Sequence, residues 1–148
     1  MKVAIGCDPN ATRMKLEVID ELKNMGCEVR DFGSEDPIYA NVVIDVCTAV
    51  AKEEYDRGIV LCGTGIGASI AANKVPGVYC ALVTDCYQAE RAALSNNANV
   101  IALGAQVTGD LVARRMVKTY MSSFYEPGGR SDSKVKRIID YADSVMHR

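Results

Sequence analysis

Short apolar runs alternate with amphipathic stretches along the whole chain, and this alternation predicts its elements in order. Val3-Ala4-Ile5 reads as a strand that ends at Gly6. Met14, Val18, Leu22 and Met25, with Ile19 beside them, recur at helical spacing on one face. Gly26 suits the left-handed turn that closes such a helix. Cys27 to Phe32 reads as a second strand, Gly33 to Pro37 as a polar connection, and Ile38 to Lys52 as a mostly apolar helix. Arg57 to Cys62 carries the unbroken run Ile59-Val60-Leu61, the mark of a strand covered on both faces. The pattern then predicts a helix over 68–74, a strand over 78–83, a helix over 86–94 and a strand over 99–103. Leu111 to Phe124 is helical, with Val112, Met116 and Tyr120 one turn apart, and Pro127-Gly128-Gly129 breaks the chain. A last helix over 131–146 aligns Val135, Ile138, Ile139, Ala142 and Val145. That apolar stripe suits either packing on its own sheet or a subunit contact.

Five strands separated by helices imply right-handed crossovers and a parallel sheet covered on both faces. The expected fold is therefore a three-layer, doubly wound α/β domain with a five-stranded parallel sheet and a C-terminal helix extension. At 148 residues the chain is expected to form a single domain over 1–148. Its composition, 49% hydrophobic and 24% charged, is that of a globular protein rather than a disordered one. Seventeen basic residues against nineteen acidic ones give a net charge of −2, which argues against nucleic acid as a partner. The sole histidine, His147, excludes His-pair metal sites and a Ser-His-Asp triad. Six cysteines without a CxxC pair fit neither a disulfide scaffold nor a zinc site. Five of them read as packed small hydrophobes. No apolar run is long enough to span a bilayer, so no membrane partner is expected and the location expected is cytoplasmic.

Doubly wound sheets place ligands beyond the carboxyl ends of their strands. The densest signal there is Cys62-Gly63-Thr64-Gly65-Ile66-Gly67, which follows a buried strand and opens a helix. Its backbone N–H groups can converge on an anion. The spacing is neither GxGxxG nor a Walker A, so a dinucleotide is not indicated. A thiol at the head of such a loop can act as base or nucleophile, or it can simply be a buried residue beneath a tight turn. Asp8, at the end of the first strand, can bind a polyol or cap the next helix. Asn96 and Asn97 suit a turn. Arg130 and Lys134, one helical turn apart, can clamp a phosphate with help from Ser131 and Ser133, or can lie on a solvated face. Tyr39, Tyr87, Tyr120 and Tyr125 can line a pocket, but read first as half-buried packing.

Gly6-Cys7-Asp8, the block from Cys62 to Lys74, Asn99-Val100, Leu103-Gly104 and Gly128-Gly129-Arg130 resemble one family over essentially the whole chain. It is the type B ribose 5-phosphate isomerases with the galactose 6-phosphate isomerase subunits. The resemblance implies a Rossmann-like enzyme, without metal or cofactor, that interconverts aldose and ketose phosphates through a cis-enediolate. Cys62 then matches the base that moves a proton between C1 and C2, and Thr64 the residue that supports the thiol. The N–H groups of Gly63, Gly65, Ile66 and Gly67 match the hole for the enediolate oxygen, and Ser69 belongs to the same loop. Asp8 and Asn96 match sugar-hydroxyl contacts. Arg130 and Lys134 match phosphate contacts made across a dimer interface, in a homodimer or homotetramer.

Four departures stand against that pattern. Pro9 and Ser95 replace family histidines, the second of which helps open a furanose ring. Gln106 replaces an arginine, and the segment from Gly33 to Tyr39 is short. Ribose 5-phosphate is the default substrate. The alternatives are a four-carbon sugar phosphate that needs no ring opening, one subunit of a hetero-oligomeric isomerase, and a sugar-phosphate-binding protein without turnover.

Overall fold

The computed structural model describes residues 1–146; His147 lies outside the described residues. Five strands, β1 (Lys2–Cys7), β2 (Glu28–Asp31), β3 (Arg57–Cys62), β4 (Cys80–Leu82) and β5 (Val100–Gly104), pair in the order β2-β1-β3-β5-β4. Every pairing is parallel. The helices are α1 (Thr12–Asn24), α2 (Tyr39–Ala51), α3 (Ile66–Ala72), α4 (Cys86–Leu94), α5 (Asp110–Met121) and α6 (Asp132–Met146). A 3-10 turn, Pro9–Ala11, leads into α1.

Strand alternation divides the core into two layers. Val3, Ile5, Ile59, Leu61, Ile101 and Leu103 point to one face, where α1, α4 and α5 cover them with Met14, Val18, Leu22, Ala92, Met116 and Tyr120. Ala4, Val60, Val100 and Ala102 point to the other, beneath Val42, Val43, Val46 and Val50 of α2 and Ala68 and Ala72 of α3. Both faces of the central strands are thus dry, as the run Ile59-Val60-Leu61 predicts. The structure is the doubly wound α/β arrangement expected.

The differences lie at element ends and at the sheet's edge. β4 has only three residues rather than the six predicted. Its outer edge is occupied by the Asn73 side chain, which donates to the Cys80 carbonyl and accepts from the Cys80 N–H, both at 2.9 Å. An amide side chain therefore replaces a neighbouring strand and shields the edge. α5 ends at Met121, three residues before the predicted end. Its last carbonyls are drawn to the buried guanidinium of Arg57, which receives no carboxylate but donates to Tyr120 O and, at 2.6 Å, to Ser123 O. Tyr120, expected half-buried, is fully enclosed and donates its hydroxyl to Ala98 O at 2.7 Å.

α6 lies beside the segment that leads into β4, where Ile138, Tyr141, Ala142 and Val145 line a groove with Asn73, Val78 and Tyr79. Val135 is its only buried residue, while Ile138, Tyr141 and Val145 are 52%, 59% and 41% exposed. Packing within the chain therefore covers the apolar stripe only in part. No described helix is long and apolar enough to cross a membrane.

Candidate active site

β1 connects to β2 on one side of the sheet and β3 lies on its other side, so the strand order reverses between β1 and β3. The two connections leaving these strands diverge and open a crevice at their carboxyl ends. A cleft of about 590 Å³ occupies that place. Asp8 and Asn10 line it from the β1 side and Cys62, Gly63 and Thr64 from the β3 side. Pro37 and Tyr39 at the start of α2, with Ile66, Gly67 and Ile70 of α3, complete the walls.

The loop after β3 is held from several sides. Gly65 has φ +77°, a left-handed backbone that a side chain would strain, and a Cβ there would fall 2.9 Å from the Leu103 carbonyl carbon. Gly104 leaves room for Thr64, whose carbonyl group would stand 2.5 Å from a Cβ at that position. The loop is tied to the end of β5 by Ala105 N–H to Cys62 O at 3.0 Å and Gln106 N–H to Gly63 O at 2.8 Å. Tyr39 lies flat against Gly67, where any Cβ would collide with its ring. Asp36 fixes that approach, accepting from Ile38 N–H and Asn41 Nδ2 at 2.8 Å each; these two bonds hold its carboxyl below the usual range.

Within this frame Cys62 is 4% exposed and its Sγ accepts the Gly65 N–H at 3.2 Å. The sulfur is thereby fixed in place, facing the cleft beside the loop's backbone donors. Thr64, expected to support the thiol, accepts the Ile66 N–H at 3.3 Å through its hydroxyl and lines the same cleft. Two of the expected loop donors, Gly65 and Ile66, are thus engaged within the loop. The N–H groups of Gly63, Thr64 and Gly67 have no acceptor among the described residues and are left for an anion.

Asp8 caps the 3-10 turn by accepting Asn10 N–H at 3.0 Å, and it also stands on the cleft wall. Ser69, on α3, is not among the residues that line the cleft. Asn96, Arg130 and Lys134 do not join Cys62 within one chain. Helix α4 runs back from the carboxyl end of β4, which leaves Asn96 beside the amino end of β5, where its Nδ2 donates to Arg91 O at 2.8 Å. Arg130 lines a second pocket, of about 310 Å³, with Arg91, Ser95, Tyr125 and Ser131. Lys134 is exposed on the first turn of α6.

Sequence reasoning did not single out Asn10 and Pro37 as cleft residues, and it read Tyr39 as packing. Their signal was available only in part: each sits on a segment leaving or entering an element at the carboxyl end of the sheet. Among the described residues no group of three or more His, Cys, Asp or Glu is placed to hold a metal ion.

The fold and this cleft define a doubly wound α/β enzyme with a thiol and free backbone donors at its switch point. The chain belongs to the Ribose/Galactose Isomerase family, which it matches over residues 3–138. It is 43% identical to the ribose-5-P isomerase B of Listeria innocua, over 91% of this chain and 93% of that protein. It is 40% identical to the D-erythrulose-4-phosphate isomerase of Pectobacterium atrosepticum, over 100% and 99%. Among solved structures, the ribose-5-phosphate isomerase B of Clostridium thermocellum superposes with a TM-score of 0.91 at 41% identity, covering 97% of this chain and 99% of that one.

Proposed function

We propose that the chain interconverts an aldose phosphate and its ketose phosphate, with the sulfur of Cys62 as the base. The sulfur takes the C2 proton of the aldose, and the electron pair passes into a C1=C2 enediolate. The thiol then gives a proton to C1, after exchange of part of it with solvent, while a second proton moves from O2 to O1. Nothing is oxidised or reduced overall, so no redox partner is needed. The free N–H groups of Gly63, Thr64 and Gly67 meet the negative oxygen of the intermediate, where preorganised donors act most strongly. Asp8 and Asn10 hold sugar hydroxyls. The observation that carries this reading is the Gly65 N–H donated to Cys62 Sγ at 3.2 Å beside unpaired donors on one cleft wall.

Two features support a site shared between copies of the chain, as a homodimer or homotetramer. No Lys or Arg lines the Cys62 cleft, although a phosphate dianion needs a cation, whereas Arg130 lines a pocket elsewhere. Ile66 and Ile70 on the cleft rim are 53% and 58% exposed, and the α6 stripe is covered only in part. A second copy that covers these apolar groups and brings Arg130 and Lys134, with Asn96, to the cleft satisfies both needs.

A four-carbon substrate is the second reading. Ser95 cannot shuttle protons near neutral pH as an imidazole can. A tetrose phosphorylated on C4 has no free hydroxyl with which to close a furanose, so it asks for no ring opening. The 40% identity to a D-erythrulose-4-phosphate isomerase favours the same class. The test is to incubate the purified protein with four-, five- and six-carbon aldose phosphates and to follow ketose formation. Conversion of the tetrose phosphate well above the others supports the second reading, and faster conversion of ribose 5-phosphate supports the first. Conversion of none contradicts the proposal.

A further inference from the structure

Arg91 lies on the last full turn of α4, one turn before Ser95, and lines the pocket of about 310 Å³ that also holds Arg130. Its guanidinium is fixed from three sides. Nη2 meets Glu90 Oε1 at 2.5 Å, Nη1 donates to Ser95 Oγ at 3.3 Å, and the group lies 5.4 Å from the Tyr87 ring centre. Its Nε is out of solvent and has no acceptor among the described residues. A guanidinium has five N–H donors. Glu90 and Ser95 use two, so one hydrogen remains on each terminal nitrogen, in the fork geometry that fits a phosphate. Ser95 accepts from Arg91 and therefore keeps its own hydroxyl proton to donate.

The charge in the pocket agrees. Arg91 and Arg130 face one lining carboxylate, Glu126, while Glu90 is already bound to Arg91. Ser131 adds a hydroxyl on the same wall. The pocket therefore offers two guanidinium groups and two hydroxyls to an anion, and the neutral Ser95 holds one side of the Arg91 guanidinium in place.

We propose that Arg91 is a specificity-determining residue that, with Arg130, grips the phosphate end of the substrate. This rests on the reading that the Arg130 pocket completes the isomerase site. Because an arginine stays protonated at working pH, Arg91 binds and orients but moves no proton. The site it makes favours substrates already in the open-chain form.

The test measures inorganic phosphate binding by calorimetry, and KM and kcat for the best aldose phosphate, on the full-length protein. The variants are Arg91→Leu, Arg91→Lys and, as a control for net charge, Arg13→Leu, whose residue is exposed and paired with Asp110. Arg91→Leu is expected to weaken phosphate binding and raise KM by about tenfold or more with kcat changed far less. Arg91→Lys, which keeps the charge and loses the fork, falls between, and Arg13→Leu matches the wild type. Unchanged phosphate affinity and KM in Arg91→Leu, an equal loss in Arg13→Leu, or no phosphate binding by the wild type would each overturn the assignment. Phosphate binding that depends on Arg91 in a protein that forms no ketose leaves Arg91 assigned and instead overturns the isomerase reading.

Discussion

The six thiols differ by where burial leaves them. Burial pushes Cys7 up to about 11, despite the neighbouring Lys15 ammonium, and pushes Cys47 and Cys80 each up to about 12. These three stay protonated at neutral pH and behave as the small hydrophobes expected. Cys62 is buried too, but its sulfur holds a backbone donor on a cleft wall. Iodoacetamide at pH 8 is therefore expected to leave Cys7, Cys47 and Cys80 unmodified in the folded protein, as read by peptide mass. Their labelling should rise only as pH climbs from about 9 toward 11 and 12, because the raised values delay thiolate formation. Early labelling of Cys47 at pH 8 would contradict the packing. Cys62→Ala is expected to lower turnover by about 10²–10⁴-fold, the usual worth of a positioned acid–base group, with sugar-phosphate binding retained.

Elements explain why the loop after β3 holds its shape. Beyond the thiol and hydroxyl contacts, the loop is held by Ser69 N–H to Gly65 O from α3 and by the Ala105 and Gln106 N–H groups that follow β5. Gly104→Ala would drive a Cβ into the backbone of Thr64 and so displace the donors. The expected result is a loss of turnover far larger than the fall in thermal stability, measured on the same preparation. Much of this was legible in the sequence: the continuous apolar strands, the helical faces and the Cys62 loop each carry a local pattern. The ends of α5 and the shortness of β4 were not, because they are set by Arg57 and Asn73, whose partners lie 63 and 7 residues away. The role of Thr64 came only from the family resemblance; within the loop its hydroxyl accepts the Ile66 N–H, a contact that no local pattern announces. Arg130 and Lys134 were expected to act across a subunit interface, and one chain does not bring them, or Asn96, to Cys62.

At the scale of the whole molecule, the account joins a cleft that has donors but no cation to a pocket that has cations but no thiol. If two copies share each site, Cys62→Ala and Arg130→Ala damage different halves of it. Two-fold symmetry then predicts that randomly remixed dimers of these inactive variants recover about one quarter of wild-type activity, since half are mixed and each of these has one intact site. No recovery on mixing would place both residues in a site within one chain. Beneath this lies the claim that the Cys62 sulfur carries a proton between two adjacent carbons. The most direct test is to convert the preferred aldose phosphate in deuterium oxide and to read carbon-bound label at C1 of the ketose by NMR, with wild type and Cys62→Ala side by side. The account predicts label with the wild type and neither label nor ketose with Cys62→Ala. Equal labelling by the two proteins would contradict it and move the base to another residue.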